Sequence, residues 1–107
     1  MVVRQDASTG QLSSDRPAGQ LDEIGGQPVM HAKVYSPFQT YVDEPVYSLS
    51  AENSTGPFDI LPHHHNFITL LAKSELMLNT PQGEKHIRIS GGLMHVKANT
   101  VTIFLDV

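Results

Sequence analysis

The sequence of 107 residues contains no cysteine. This absence excludes a disulfide framework, a thiolate nucleophile and every zinc site that depends on sulfur, and it favours a reducing compartment. Basic residues are also few, since seven Lys and Arg stand against eleven Asp and Glu and give a net charge of −4. The cations are scattered singly along the chain. Because phosphate neutralisation supplies most nucleic-acid binding, a nucleic-acid partner is disfavoured.

Long apolar runs are missing as well. No stretch approaches the roughly 20 residues that a helix needs to cross a bilayer. Met1 is not followed by the basic and apolar segments of a secretory signal. The first 28 residues carry four acids, whereas organelle transit peptides are poor in acids and rich in arginine. We therefore expect a cytoplasmic protein that reaches a membrane only through a protein partner.

The beginning of the chain, residues 1–28, lacks an apolar pattern. It is dominated by Ser, Gly, Gln, Asp and Pro, and Leu12, Leu21 and Ile24 are too sparse for a stripe of helical or strand period. We expect a flexible leader without a fold of its own over 1–28 and one folded domain over 29–107. The sequence leaves open whether the leader is natural or added, and whether Met30 is an alternative start.

From Val29 onward the chain has the texture of short strands. Runs rich in Val, Ile, Thr, Tyr and Phe are separated by turn residues, and 100–105 alternates with Val101, Ile103 and Leu105 on one face. Further strands are predicted at 29–36, 46–51, 58–61, 67–72, 75–79, 86–90 and 93–97, and Glu44-Pro45 is among the predicted turns. Short strands at this spacing, with no amphipathic run of helical length, predict an antiparallel sandwich or barrel.

The sharpest local feature is segment 56–65, Gly-Pro-Phe-Asp-Ile-Leu-Pro-His-His-His. Imidazole is a common metal ligand, so one hypothesis is a metal site. In a strand His63 and His65 would face one way and His64 the other, so a third ligand must come from elsewhere. The candidates are His86, His95 and Glu75. The spacing fails the pattern of metal-binding cupins in two places, and a polar surface loop is the favoured interpretation.

No other segment predicts chemistry. The acidic pairs Asp43-Glu44 and Asp22-Glu23 are adjacent residues beside turn or leader positions and do not converge. No Gly-x-Ser-x-Gly elbow is present. Gly91-Gly92 lacks the third glycine of a dinucleotide motif and is interpreted, like Gly56, as a structural turn. No catalytic residue, metal ligand or cofactor is assigned.

Two motifs make the chain similar to a known family. Gly56-x-Phe58-x-Ile60-Leu61-Pro62-x-His64, followed by Ile68-Thr69-Leu70-Leu71, resembles the glycine, ILP and histidine segment of the ATP synthase epsilon subunit. Ser90-Gly91-Gly92-Leu93-Met94-x-Val96, followed by Asn99-x-Val101-Thr102-Ile103, resembles that family's SGG and final-strand signature. The two motifs stand in the family's order and at its separation. The resemblance covers 30–107.

The resemblance implies an all-β, two-sheet antiparallel sandwich of about ten short strands. It implies a non-catalytic subunit at the foot of the central stalk, bound to the gamma subunit and to the polar loops of the membrane c-ring. In this interpretation Ile60 and Leu61 alternate across a strand, Pro62 ends it and His64 presents a polar tip. The implied partner-contact residues are Pro57, Phe58, Asp59, Ile60, Leu61, Pro62, His63 and His64.

The chain departs from the family pattern at several positions. Asp59 and His63 stand where glycine is usual, and Pro57 and His95 stand where acids are common. The helical hairpin that follows the sandwich in the family, and can act there as a brake on ATP hydrolysis, is not part of this sequence, so no inhibitory role is inferred. Two alternatives stay open: a small His-dependent metal-binding barrel, and a stand-alone protein-interaction sandwich.

Overall fold

The computed structural model describes residues 22–106 together with two short strands, Arg4–Gln5 (β1) and Leu12–Ser13 (β2), which pair antiparallel. The rest of the predicted leader up to residue 21 lies outside the described residues, so its flexibility stays a prediction. Residues 22–28 form a small hairpin of Glu23–Ile24 (β3) and Gln27–Pro28 (β4). The Val29 amide donates to the Asp22 carbonyl at 2.8 Å and closes the hairpin at its base.

The remaining strands form the two sheets of a sandwich. A five-stranded sheet has the order β6-β5-β13-β12-β9, and a four-stranded sheet has the order β11-β10-β7-β8. Within residues 22–106 no helix is long and apolar enough to span a membrane. The predicted two-sheet all-β fold is confirmed. The strands are Met30–Tyr35 (β5), Thr40–Val46 (β6), Ser48–Asn53 (β7), Gly56–Ile60 (β8), Phe67–Leu71 (β9), Ser74–Thr80 (β10), Gly83–Ile89 (β11), Gly92–Lys97 (β12) and Thr100–Leu105 (β13).

The core lies between the two sheets and is built by alternation. In β13 the predicted inward residues Val101, Ile103 and Leu105 are all buried, which confirms that prediction. The same two-residue period places every second side chain of the neighbouring strands inside. The other buried apolar residues of this cluster are Met30, Ala32, Val34, Val42, Val46, Leu49, Ala51, Ile60, Leu71, Leu76, Leu78, Ile89, Met94 and Val96.

Strand β6 corrects the predicted turn at Glu44-Pro45. Both residues lie inside the strand, and Pro45 pairs with His31 of β5. The strand tolerates proline because β6 is an edge strand, so the missing N–H breaks no ladder on its outer side. The chain changes sheets just after β6, where the Tyr47 amide donates to the Asn79 carbonyl at 2.7 Å.

One pair departs from the predicted antiparallel arrangement. β5 and β13 pair in parallel, with the register running from His31 opposite Thr100 to Tyr35 opposite Phe104. The two strands are far apart in sequence, so no tight turn imposes an antiparallel direction on them. Every other described pair is antiparallel.

The two open sides of the sandwich are closed in different ways. Between β6 and β11 the Glu44 carboxylate forms an ion pair with the Lys85 ammonium. Between β8 and β9 the rings of Phe58 and Phe67 meet edge to face with centroids 5.9 Å apart. The chain itself crosses between the sheets on this second side, through residues 61–66, which we call the end loop.

Candidate functional site

The end loop begins with a tight turn. The His64 amide donates to the Leu61 carbonyl at 3.2 Å, so Leu61 to His64 form a β-turn. Pro62 takes the second position, and His63 takes the third with φ of +66°. This combination defines a type II turn, whose third position favours glycine because a Cβ is strained at positive φ. The predicted end of the strand before Pro62 is confirmed, since β8 stops at Ile60.

The predicted partner-contact residues do not share one surface. Along β8 the Phe58 side chain is half-buried against the core, and Ile60 is only 1% exposed. Pro57 and Asp59 point to the outer face of the four-stranded sheet, whereas Leu61, 58% exposed, belongs to the end loop. Ile60 is thus buried and Leu61 exposed, but the prediction that both lie in one strand is wrong for Leu61. The end loop, with Leu61, Pro62, His63 and His64, is the part of the set that can meet a partner at that end of the sandwich.

The histidine run is not a strand, which corrects the expected alternation of His63, His64 and His65. Pro62 has already ended β8, and His64 and His65 stack with ring centroids 4.2 Å apart. The His64 ring also meets Phe67 edge to face at 5.7 Å. In the part of the chain that the structure describes, no three His, Asp or Glu side chains are arranged to hold a metal ion. The geometry thus gives no support to the metal-binding alternative.

Sequence reasoning missed the residue that holds the end loop. Asn99 sits in the two-residue turn between β12 and β13, where Ala98 and Asn99 have φ of +52° and +61°, as a type I′ turn requires. Its side chain is buried: Oδ1 accepts from the His63 amide at 2.7 Å, and Nδ2 donates to the Val29 carbonyl at 2.9 Å. The positive φ of the turn explains why an asparagine stands here, but the local sequence does not predict its distant hydrogen-bond partners.

Glycine is favoured at two of the predicted turn positions, at Gly91 by a positive φ and at Gly92 by a close contact with backbone. Gly91 has φ of +153°, and a Cβ there would lie 2.8 Å from the Asp106 Oδ2. Gly92 is the first residue of β12, and a Cβ there would lie 2.7 Å from the Phe104 carbonyl oxygen. Gly91 thus lies in the predicted connection, whereas Gly92 belongs to a strand and allows close packing of β12 on β13. Gly56 opens β8 directly after the β7–β8 turn.

The outer side of the five-stranded sheet carries a row of apolar side chains next to polar ones such as Lys33 and His95. The pairing places Leu70, Leu93, Phe104 and Tyr35 side by side across four strands, and Leu70 is 73% exposed. Tyr35 and Phe104 contact each other with ring centroids 5.2 Å apart. Ile68 adds a further exposed side chain on β9. We call Tyr35, Ile68, Leu70, Leu93 and Phe104 the apolar face.

The outer side of the four-stranded sheet is charged instead. The His86 ring has Nε2 3.3 Å from the Glu84 carboxylate and Nδ1 3.4 Å from that of Glu75. Hydrogen bonds to Glu84 and then to Glu75 raise the pKa of His86 above its usual 6.5. Arg88 is exposed on the same strand. We call Glu75, Glu84, His86 and Arg88 the charged face.

The two sheets define an all-β sandwich domain that exposes a row of apolar side chains on one of its outer sides. The chain belongs to the family described as the β-sandwich domain of the ATP synthase Delta/Epsilon chain, whose model matches residues 29–107. The resemblance drawn from the two sequence motifs is thereby confirmed.

Curated relatives carry the same family name. An ATP synthase epsilon chain of Ruthia magnifica subsp. Calyptogena magnifica is 34% identical over 77 residues, which cover 72% of this chain and 56% of the relative. An ATP synthase epsilon chain of Leptospira borgpetersenii serovar Hardjo-bovis is also 34% identical over 77 residues, covering 72% of this chain and 61% of the relative. The chain therefore spans little more than half the length of these relatives.

Solved structures share the fold. A chain of the Euglena gracilis mitochondrial ATP synthase, in an OSCP/F1/c-ring structure, superposes with a TM-score of 0.69 at 22% identity, covering 94% of this chain and 68% of that one. A chain from the central stalk/c-ring structure of the Tetrahymena thermophila mitochondrial ATP synthase gives 0.63 at 17% identity, covering 71% and 62%. At these identities the likeness establishes the sandwich architecture.

Proposed function

We propose that this chain is a non-catalytic part of the rotor stalk of an ion-translocating ATP synthase. In this proposal it binds the gamma subunit and the polar loops of the c-ring and helps to couple ring rotation to the catalytic head. It would then lie at the cytoplasmic face of the energy-coupling membrane without inserting into it. Family membership and the names of the curated relatives support the proposal.

The observation that carries the proposal is the presence of two separate contact surfaces on one body. The apolar face lies on the outer side of one sheet, whereas the end loop lies at the end of the sandwich where β8 passes into β9. Monomeric domains rarely leave a contiguous apolar row uncovered unless it binds a partner. A subunit that connects two neighbours needs two such surfaces.

The chemistry of the two surfaces suits different partners. Permanent interfaces resemble a protein core, so the apolar face with Leu70, Leu93 and Phe104 fits a lasting contact with gamma. The end loop exposes Leu61 beside His63, a mixture that fits the small polar loops of the ring. Short connections between the strands make the body stiff, and a stiff body transmits torque better than one with long loops.

Binding measurements with the cognate gamma subunit and with detergent-solubilised c-ring test the proposal. We expect the chain to bind each partner alone and both together, because the two surfaces do not overlap. Absence of binding to both partners would contradict the proposal. Co-purification from the native cell with other proteins and without synthase subunits would instead favour the stand-alone interaction module.

A further inference from the structure

One buried side chain joins three distant segments of the domain. Asn99 lies 36 residues after His63 and 70 after Val29, yet its amide group bonds to both backbones. The amide oxygen of asparagine can only accept a hydrogen bond and its NH₂ can only donate. The side-chain amide therefore has one possible orientation here, with Oδ1 toward the His63 N–H and Nδ2 toward the Val29 C=O. The side chain is 6% exposed, so water does not easily replace either bond.

The bond to His63 falls at the most strained point of the end loop. His63 holds a positive φ that a residue with a Cβ seldom adopts, and such a conformation persists only where its surroundings fix it. The turn's own hydrogen bond, from the His64 amide to the Leu61 carbonyl, is 3.2 Å long. The shorter bond from the His63 amide to Asn99 comes from outside the loop and anchors the turn to the β12–β13 hairpin.

We propose that Asn99 is the positioning residue of the end loop and sets its partner-binding conformation before the partner arrives. Holding Leu61 and His64 in place in the free protein removes an ordering cost that binding would otherwise carry. The second bond, to Val29, ties the same loop to the start of β5 and to the β3–β4 hairpin that precedes it. The part of this inference that concerns the c-ring rests on the proposed function; the part that concerns the free loop does not.

Three variants separate the roles of the side chain. Asn99→Gly keeps a residue that accepts the positive φ of the turn and removes both side-chain bonds. Asn99→Asp keeps the acceptor for the His63 amide and removes the donor to Val29. Ala98→Gly is the matched control, because it changes the other turn residue and leaves both bonds in place.

Amide hydrogen exchange of the free protein, followed by NMR, gives the first readout. We expect the His63 amide to exchange about tenfold faster or more in Asn99→Gly, to stay near wild type in Asn99→Asp and to be unchanged in Ala98→Gly. The amides of the β12–β13 ladder should keep their protection in all three, which shows that the fold is intact. Unchanged protection of His63 in Asn99→Gly overturns the proposal.

Affinity for solubilised c-ring, with affinity for gamma as the internal reference, gives the second readout. Asn99→Gly should bind the ring about tenfold more weakly or worse, and gamma as well as wild type does. Equal weakening toward both partners would show a merely structural role and overturn the proposal.

If the wild-type chain does not bind the ring, the proposed function fails, while the exchange of the His63 amide still decides whether Asn99 positions the loop. If Asn99→Gly does not fold, ring binding by Asn99→Asp near the wild-type value is the result expected, and its loss overturns the proposal.

Discussion

The outer faces of the two sheets differ in composition. Both belong to sheets whose inner residues alternate into one shared core, and both have strands of similar length. The charged face follows the usual pattern of apolar residues inside and polar residues outside, as with Glu84 and His86 on β11. The apolar face does not, because Leu70, Leu93 and Phe104 lie outside as well. Exposed apolar rows of this kind are typical of interaction sites, and this is the face that we propose to bind gamma.

The contrast between the core and the apolar face offers the test with the largest expected effect. Ile103→Ala removes a fully buried side chain and should lower the free energy of unfolding by about 3 kcal/mol. Leu70→Ala on the neighbouring apolar face should change it by less than about 0.5 kcal/mol, since that side chain is mostly exposed. Urea denaturation measures both. Similar losses for the two variants would contradict the distinction between core and apolar face.

The second prediction concerns binding. Phe104→Thr keeps a strand-forming residue and removes the aromatic ring from the centre of the apolar face, so it should weaken gamma binding about tenfold or more. Met77→Thr is the matched control, because Met77 lies opposite His86 on the outer side of the other sheet. It should leave gamma binding unchanged. If Met77→Thr weakened gamma binding and Phe104→Thr did not, the assignment of the two faces would be reversed.

The third prediction lies outside both faces. His63→Gly replaces a residue at φ of +66° with the one that adopts this conformation without steric cost, so it should stabilise the fold by about 1 kcal/mol. His65→Gly changes the same loop at a residue without positive φ and should not stabilise it. Thermal unfolding of the two variants checks the difference. Stabilisation by both would mean that the turn at His63 is not strained.

The smallest effect belongs to the charged face and depends on pH. Because the folded protein holds the pKa of His86 above 6.5, the stability that this group contributes is fully present below about pH 6.5 and is lost as pH rises through the folded pKa. Unfolding midpoints of wild type and His86→Gln should therefore differ at acid pH and converge at alkaline pH. A difference that grows toward alkaline pH would contradict this assignment.

The carboxylates around His86 can be separated by NMR titration of its ring. Glu84→Gln should lower the pKa of His86 more than Glu75→Gln does, because the hydrogen bond to Glu84 raises it most. High salt should reduce both effects, since all three side chains are about half exposed. The affinity of the apolar face for gamma should not show a comparable dependence on pH or salt.

The sequence correctly predicted the features of the fold that depend on local residue pattern. The alternation of 100–105 gave the inner and outer residues of β13 correctly, because a strand's period fixes which side each residue takes. β6 was missed up to residue 45, because Asp43-Glu44-Pro45 has turn composition and only the sheet order shows that it lies at an edge. Segment 67–72 is predicted as a strand, and nothing in its local sequence shows that Ile68 and Leu70 are exposed on one face.

The candidate site was predicted less well than the fold. The motif around Ile60, Leu61 and Pro62 located the end loop, because Pro62 favours a turn and follows closely on the end of β8. The stacking of His64 on His65 was not predicted, because the sequence suggested a strand where the structure has a loop. The side-chain hydrogen bonds of Asn99 join segments that only the tertiary fold brings together, so no local sequence pattern predicts them.

The parallel pairing of β5 with β13 has a mechanical consequence. The start of β5 and the end of β13 lie at opposite ends of the five-stranded sheet, and the register aligns five residue pairs between them. A force that pulls these two points apart would load all the interstrand hydrogen bonds at once, in shear, and would not peel them open one after another. We propose that the domain lies in a rotating stalk. There the shear arrangement of β5 and β13 would resist stretching of the domain along these two strands.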